Sequence, residues 1–255
     1  MRKAIDYMVI GLLFLPLVAI VYLVLVSRWV YPQLWDASFS LSHWIAGIRS
    51  TGSLLEGLWL SLFLATAMGA GATGVGFFLS HQVTLQGRRS GLIHFAYYPY
   101  LIAPVVLGVM LRFYFVRAGL TGTLAGVLLA QFIFILPYAI LLLSTFWNDR
   151  VRQTAFQAST LGATPGQVFR TVLMPMAKPW LIICFLQCFL ISWFDYGITQ
   201  VIGVGKVATL TVQTMVFVKA ANPHLAALAA CLLVGPLVAL MFINRKLFLQ
   251  GDNVL

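Results

Sequence analysis

Charge is what this chain has least of. Asp, Glu, Lys and Arg together make up 9% of the 255 residues, and Glu56 is the sole glutamate. So few carboxylates leave no pair placed for general acid–base work. The four histidines, His43, His81, His94 and His224, lie apart, with no partner at metal or triad spacing. Cysteine is scarce too. Cys184, Cys188 and Cys231 all sit in apolar runs, where a thiol acts as a small packing group. Long polar linkers are missing, and with them any sign of a separate soluble domain. The sequence therefore predicts no enzyme, no bound metal and no cofactor on this chain.

Apolar bulk fills the space that charge leaves. Hydrophobic residues reach 61% and mean hydropathy is +0.96, which points to a bilayer as the solvent. Runs close to the roughly 20 residues needed to cross hydrocarbon fall at 7–26, 58–80, 92–111, 124–143, 180–202 and 225–243. The first is longer than the usual signal core of about 7–15 residues and no small-x-small cleavage site follows, so it reads as an uncleaved span. Prolines 16, 99, 104, 137 and 236 fall inside these runs, which a helix bundle tolerates when neighbours cover the freed carbonyls. The expected fold is all-α, a single transmembrane domain over 1–255 with six transmembrane helices.

The net charge of +10 follows from 16 basic against six acidic residues. In a membrane protein such an excess marks cytoplasmic loops, and no nucleic-acid partner is expected. With both ends inside, ten basic residues face the cytoplasm, among them Arg88, Arg89, Arg150, Arg152, Arg170 and Lys178, against six outside. Inside N- and C-termini follow.

Two nucleotide motifs fail on context. "GAGATG" over 69–74 has the letters of a dinucleotide loop, yet it lies mid-span with no preceding strand; close helix packing explains it. "GVGKV" over 203–207 puts Val207 where a phosphate loop needs Ser or Thr.

The stretch 146–179 is the most informative. Asn148 and Asp149 suit a helix start, and Val151, Ala155, Ala158 and Leu161 recur at helical spacing. Gly162 suits the left-handed residue after a helix end. Thr164 and Pro165 open a second helix with an apolar stripe of Val168, Phe169 and Val172, closed by Pro175 and Pro179. This helix pair either lies on the protein's own inner surface or enters a groove on a cytoplasmic partner.

The same stretch resembles the signature loop of permease subunits from binding-protein-dependent ABC importers: E-A-A, three residues, G, nine residues, I, one residue, L-P. Ala158 matches the second alanine, Gly162 the glycine, Val172 the isoleucine, Met174 the leucine and Pro175 the proline. Phe156 stands at the glutamate and Gln157 at the first alanine. Residues 97–108 resemble the family's Pro-rich third span and 130–140 its following span, and 194–213 resemble the stretch after the fifth span in the type I polyamine, iron and thiamine group.

The resemblance implies a bacterial inner-membrane protein that pairs with a second permease subunit, identical or related, around a shared path. It implies an ABC ATPase dimer on the cytoplasmic side, holding the ATP, and a soluble substrate-binding protein outside. The ATPase-coupling residues would be Phe156, Gln157, Ala158, Gly162, Ala163, Pro165, Val168, Phe169, Val172 and Pro175. For the path, the polar groups within spans are Asp195, Gln131 and Gln187. Asp195 either pairs with Arg112 or serves passage or gating; the two glutamines bond between helices or touch solute. Residues 209–218, flanked by Lys206 and Lys219, form either an outer helix for the binding protein or an interfacial anchor. The rival is a six-span carrier driven by an ion gradient, which would want ionisable residues near the bilayer midplane.

Overall fold

A computed structural model describes residues 52–85 and 101–250, with isolated positions 11, 15, 22 and 98; of residues 85 and 239–250 it describes the backbone alone. No strand occurs among the described residues. The helices, in chain order, are α1 (Gly52–Leu85), α2 (Pro104–Arg117), α3 (Leu124–Ser144), α4 (Asp149–Thr160), α5 (Pro165–Trp193), α6 (Gly197–Gly203), α7 (Leu210–Lys219) and α8 (Pro223–Gln250). Three of them, α1, α3 and α5, are long and apolar enough to cross a membrane.

The chain divides into two compact units, Ser61–Ala208 and Met1–Leu60 with Thr209–Leu255. In the first, α1, α3 and α5 share one core. Met68, Ala72 and Phe77 meet Ile135, Ala139 and Leu143, and Ala177, Cys184 and Cys188 close the third side. The small-residue run of α1 serves this packing: a Cβ on Gly69 would come within 2.9 Å of the Phe185 ring. Close helix approach accounts for Gly69 in this way, whereas a Cβ on Gly71 would make ordinary contact and one on Gly74 would meet open space. The second glycine motif is a helix ending, with α6 closed by Val204 in left-handed geometry, φ 49°.

In the second unit α7 packs on α8. The Thr209 hydroxyl accepts from Val212 N at 3.4 Å to cap α7, and Gln213 Nε2 donates to the Ser53 carbonyl at 2.7 Å. Exposed apolar side chains are common in both units; along α2, Val109, Phe113, Tyr114 and Val116 all face outward. A bilayer or a neighbouring chain makes such surface tolerable.

The expected spans fare unequally. The fourth, 124–143, is α3 to within a residue. The second extends beyond 58–80 at both ends. The third, 92–111, is broken: Ala103 is extended (φ −59°, ψ 140°) and Pro104 begins a new helix. The residue before proline is pushed out of helical geometry, whereas proline itself fits the first helical turn. The fifth also moves, from 180–202 to 165–193. The first lies outside the described residues apart from three positions, and the sixth falls in α8.

Candidate functional site

The segment joining α3 to the span of α5 is built from strong local signals. Asn148 Oδ1 accepts from Val151 N at 3.0 Å and starts α4. At the far end Gly162 takes φ +88°; its N–H donates to Ser159 O at 3.0 Å, and Ala163 N donates to Ala158 O at 3.2 Å. This pair of bonds satisfies the last carbonyls of α4 and needs a left-handed residue that only glycine adopts without cost. Thr164 then opens α5 with a reciprocal cap. Its N–H donates to Gln167 Oε1 at 2.8 Å, and its hydroxyl accepts from Gln167 N at 3.4 Å. Such caps fix both helix entry angles across a four-residue turn.

Beyond the cap, α5 does not stop. The expectation that Pro175 and Pro179 close a short second helix is corrected: residues 168–173 form a π-helical turn, Met174 N donates to Phe169 O, and the helix runs on to Trp193. Pro175 offers no N–H and its ring crowds the carbonyl four residues back. A wider turn at that carbonyl gives the ring room, so the helix bends through the proline instead of ending. At 29 residues α5 is about 43 Å long, ~13 Å more than the hydrocarbon layer. Its capped N-terminal portion, with α4, precedes the 20-residue stretch from Met174 to Trp193.

One side of this projection is anchored. Val151 and Val168 are buried, and Phe169 and Val172 are half-buried. Phe169 lies 6.4 Å, ring to ring, from Phe77 of α1. The other side is open. Gln157 and Pro165 are exposed, Phe156 is 69% exposed and Leu161 88%. Leu161 shares the helical spacing of Val151, Ala155 and Ala158, but it sits just past the last helical turn and is exposed. Beside α4 runs a cleft of about 240 Å³ bordered by His81, Trp147, Asp149 and Arg152.

A second polar site lies at the other end of α5. Asp195 sits between α5 and α6, and its Oδ2 accepts from Gln131 Nε2 at 3.1 Å, Thr199 Oγ1 at 2.7 Å and Thr199 N at 2.9 Å. Its Oδ1 accepts from Ile198 N at 3.2 Å. Gln131, fully buried in α3, also donates to Thr199 Oγ1 at 2.9 Å and accepts from Ser192 Oγ at 2.7 Å.

Relatives with assigned roles match this chain. The trehalose transport system permease protein SugB of Mycobacterium tuberculosis is 39% identical over 30% of this chain and 28% of its own length. The melibiose/raffinose/stachyose import permease protein MelC of Bacillus subtilis is 31% identical over 59% of this chain and 56% of its own. The putrescine transport system permease protein PotI of Escherichia coli is 27% identical over 83% and 79%. This chain is a relative of ABC importer permease subunits. It is a multi-pass membrane protein, and it spans less than two thirds of the first two relatives. No protein-family model matches the chain.

Of the residues named from sequence, Asp195 and Gln131 are brought together, whereas Gln187 is exposed on α5 and joins neither. The Asp195–Arg112 pair does not form among the described residues; Arg112 is exposed on α2 and the carboxylate is taken up by its own cluster. Ser192 and Thr199 complete that cluster and escaped the sequence reading. Their spacing offered a signal, since Thr199 lies one helical turn after Asp195.

Proposed function

We propose that this chain is the transmembrane permease subunit of an ATP-driven importer, forming half of a solute path and coupled to a cytoplasmic ATPase dimer through α4, Gly162 and the first turns of α5. The observation that carries this reading is the open side of that projection. Phe156 and Leu161 present large apolar surface on a segment that caps and turns hold rigid. Apolar side chains exposed on a rigid element outside the bilayer favour docking into a partner's groove. Phe156, replacing the family's glutamate, makes the contact apolar where the relatives' pattern would make it ionic. Gln157, Ala158, Ala163 and Pro165 border the docking face, Val168 and Phe169 tie it to the bundle, and Val172 and Pro175 continue the coupling segment into α5.

ATP is bound and hydrolysed on the partner, so the chain itself is not an enzyme and carries no cofactor. A second permease subunit covers exposed apolar surface such as that of α2, and a soluble binding protein meets the outer loops. The chain sits in a bacterial-type inner membrane with both termini cytoplasmic. The relatives' named cargoes include several sugars and a diamine, so the cargo is set mainly by the binding protein and not by features common to these permeases. An ion-gradient carrier fits less well, because the Asp195 carboxylate is engaged by its neighbours.

The test is isolation of the full-length chain with its native companions, followed by reconstitution. Labelled trehalose, raffinose and putrescine are offered with ATP inside or outside the vesicles. An ATP-hydrolysing subunit that cross-links to a probe at position 157 supports the proposal. A chain that isolates alone and transports regardless of ATP sinks it.

A further inference from the structure

The carboxylate of Asp195 is half-buried and bound through both of its oxygens. It receives four donors, two from backbone N–H groups at the start of α6, one from Thr199 and one from Gln131. Gln131 in turn has both its N–H directions and its carbonyl engaged, by Asp195, Thr199 and Ser192. Every member of the cluster completes another. An ionised carboxylate accepts and never donates, and here each neighbour supplies the donor. In a low-dielectric interior a polar network of this kind rigidifies what it connects, and breaking it leaves unpaired groups.

What it connects is specific. Ser192 is in the last turn of α5, Asp195 in the break after it, Thr199 in α6 and Gln131 in α3. Both Asp195 oxygens accept from N–H groups that open α6, which no other side chain caps. The break at residues 194–196 is therefore set by Asp195, and α6, which packs on both α2 and α3, is held in place by it.

We infer that Asp195 is a positioning residue: it ends α5 and pins α6 to α3 through Gln131. The consequence for solute rests on the importer reading, since it gives this carboxylate a task in the fold and not in the path. The positioning itself does not depend on that reading.

The experiment uses the full-length chain in lipid nanodiscs, with amide hydrogen exchange followed across residues 197–203. Neither solute nor ATPase subunit is needed, so its failure is separate from failure of the importer assignment. Asp195→Asn keeps an oxygen where Oδ2 stands and loses mainly the 3.2 Å bond to Ile198 N. Exchange within threefold of wild type is expected. Asp195→Ala removes all four bonds, and at least tenfold faster exchange is expected. Gln131→Ala should accelerate exchange as well, and the double alanine variant no more than the worse single one. If Asp195→Ala fails to reach the membrane, Thr199→Val decides, since it removes the hydroxyl bridge and keeps the carboxylate. Faster exchange in Thr199→Val beside a nearly normal Asp195→Asn supports the inference. Asn as damaging as Ala, or 197–203 unaffected by Ala or Val, overturns it.

Discussion

The indole of Trp147 donates to the Ser80 hydroxyl at 2.9 Å, and both groups are buried. The bond joins α1 to the entrance of α4 across 67 residues. Around it Phe77, Phe146 and His81 crowd the same ring, His81 edge-on at 4.6 Å. The root of the projecting segment is thus fixed to the bundle by one polar contact inside an aromatic cluster.

Ser80→Ala strands the indole N–H in that cluster, which costs about 1–3 kcal/mol. Adding Trp147→Phe removes the stranded donor, so the pair should be less destabilised than the two single variants summed. Thermal unfolding of the full-length chain in detergent provides the comparison. Simple additivity would mean the bond contributes nothing of its own.

Gly162 takes φ +88° with open space around its Cα, so substitution acts through the backbone alone. Gly162→Ala should cost about 1 kcal/mol. Gly162→Pro cannot adopt the angle and loses the bond to Ser159 O. The chain should still assemble, while ATP hydrolysis no longer drives uptake. Wild-type uptake by the proline variant would remove the coupling role.

Phe156→Ala and Leu161→Ala each delete exposed surface, so the chain's own unfolding midpoint should hold. Retention of the ATPase subunit during purification should weaken by about 1–2 kcal/mol for each. Titrating the purified subunit onto the reconstituted chain measures it, and unchanged affinity in both variants argues for a different docking face.

Val204 is β-branched, half-exposed and left-handed at the end of α6. Asparagine tolerates that geometry, so Val204→Asn should stabilise the chain by about 1 kcal/mol. A lowered midpoint would show that packing of the valine outweighs the backbone strain.

Some of this was legible from residues near one another in the chain. The bounds of α3, the start of α4 at Asn148, the turn at Gly162 and the cap at Thr164 all depend on neighbours within about five positions. Where a distant partner decided, the reading went astray. Pro175 and Pro179 look like stops, but α5 packs against α1 and α3 through Ala177, Cys184 and Cys188 and carries the helix through them. Leu161 differs for a local reason: it shares the helical spacing of Val151, but the turn at its neighbour Gly162 puts it in the open.

Composition and local pattern, by themselves, determined that this protein lives in a membrane, is helical and turns sharply at Gly162 between two capped helices. Folding alone decided where α5 ends and what Asp195 does, because the amide that answers its carboxylate lies 64 residues away. A carboxylate in an apolar setting needs donors; Ile198 and Thr199 follow it closely in the chain, but only the packed bundle brings Gln131 of α3 within reach.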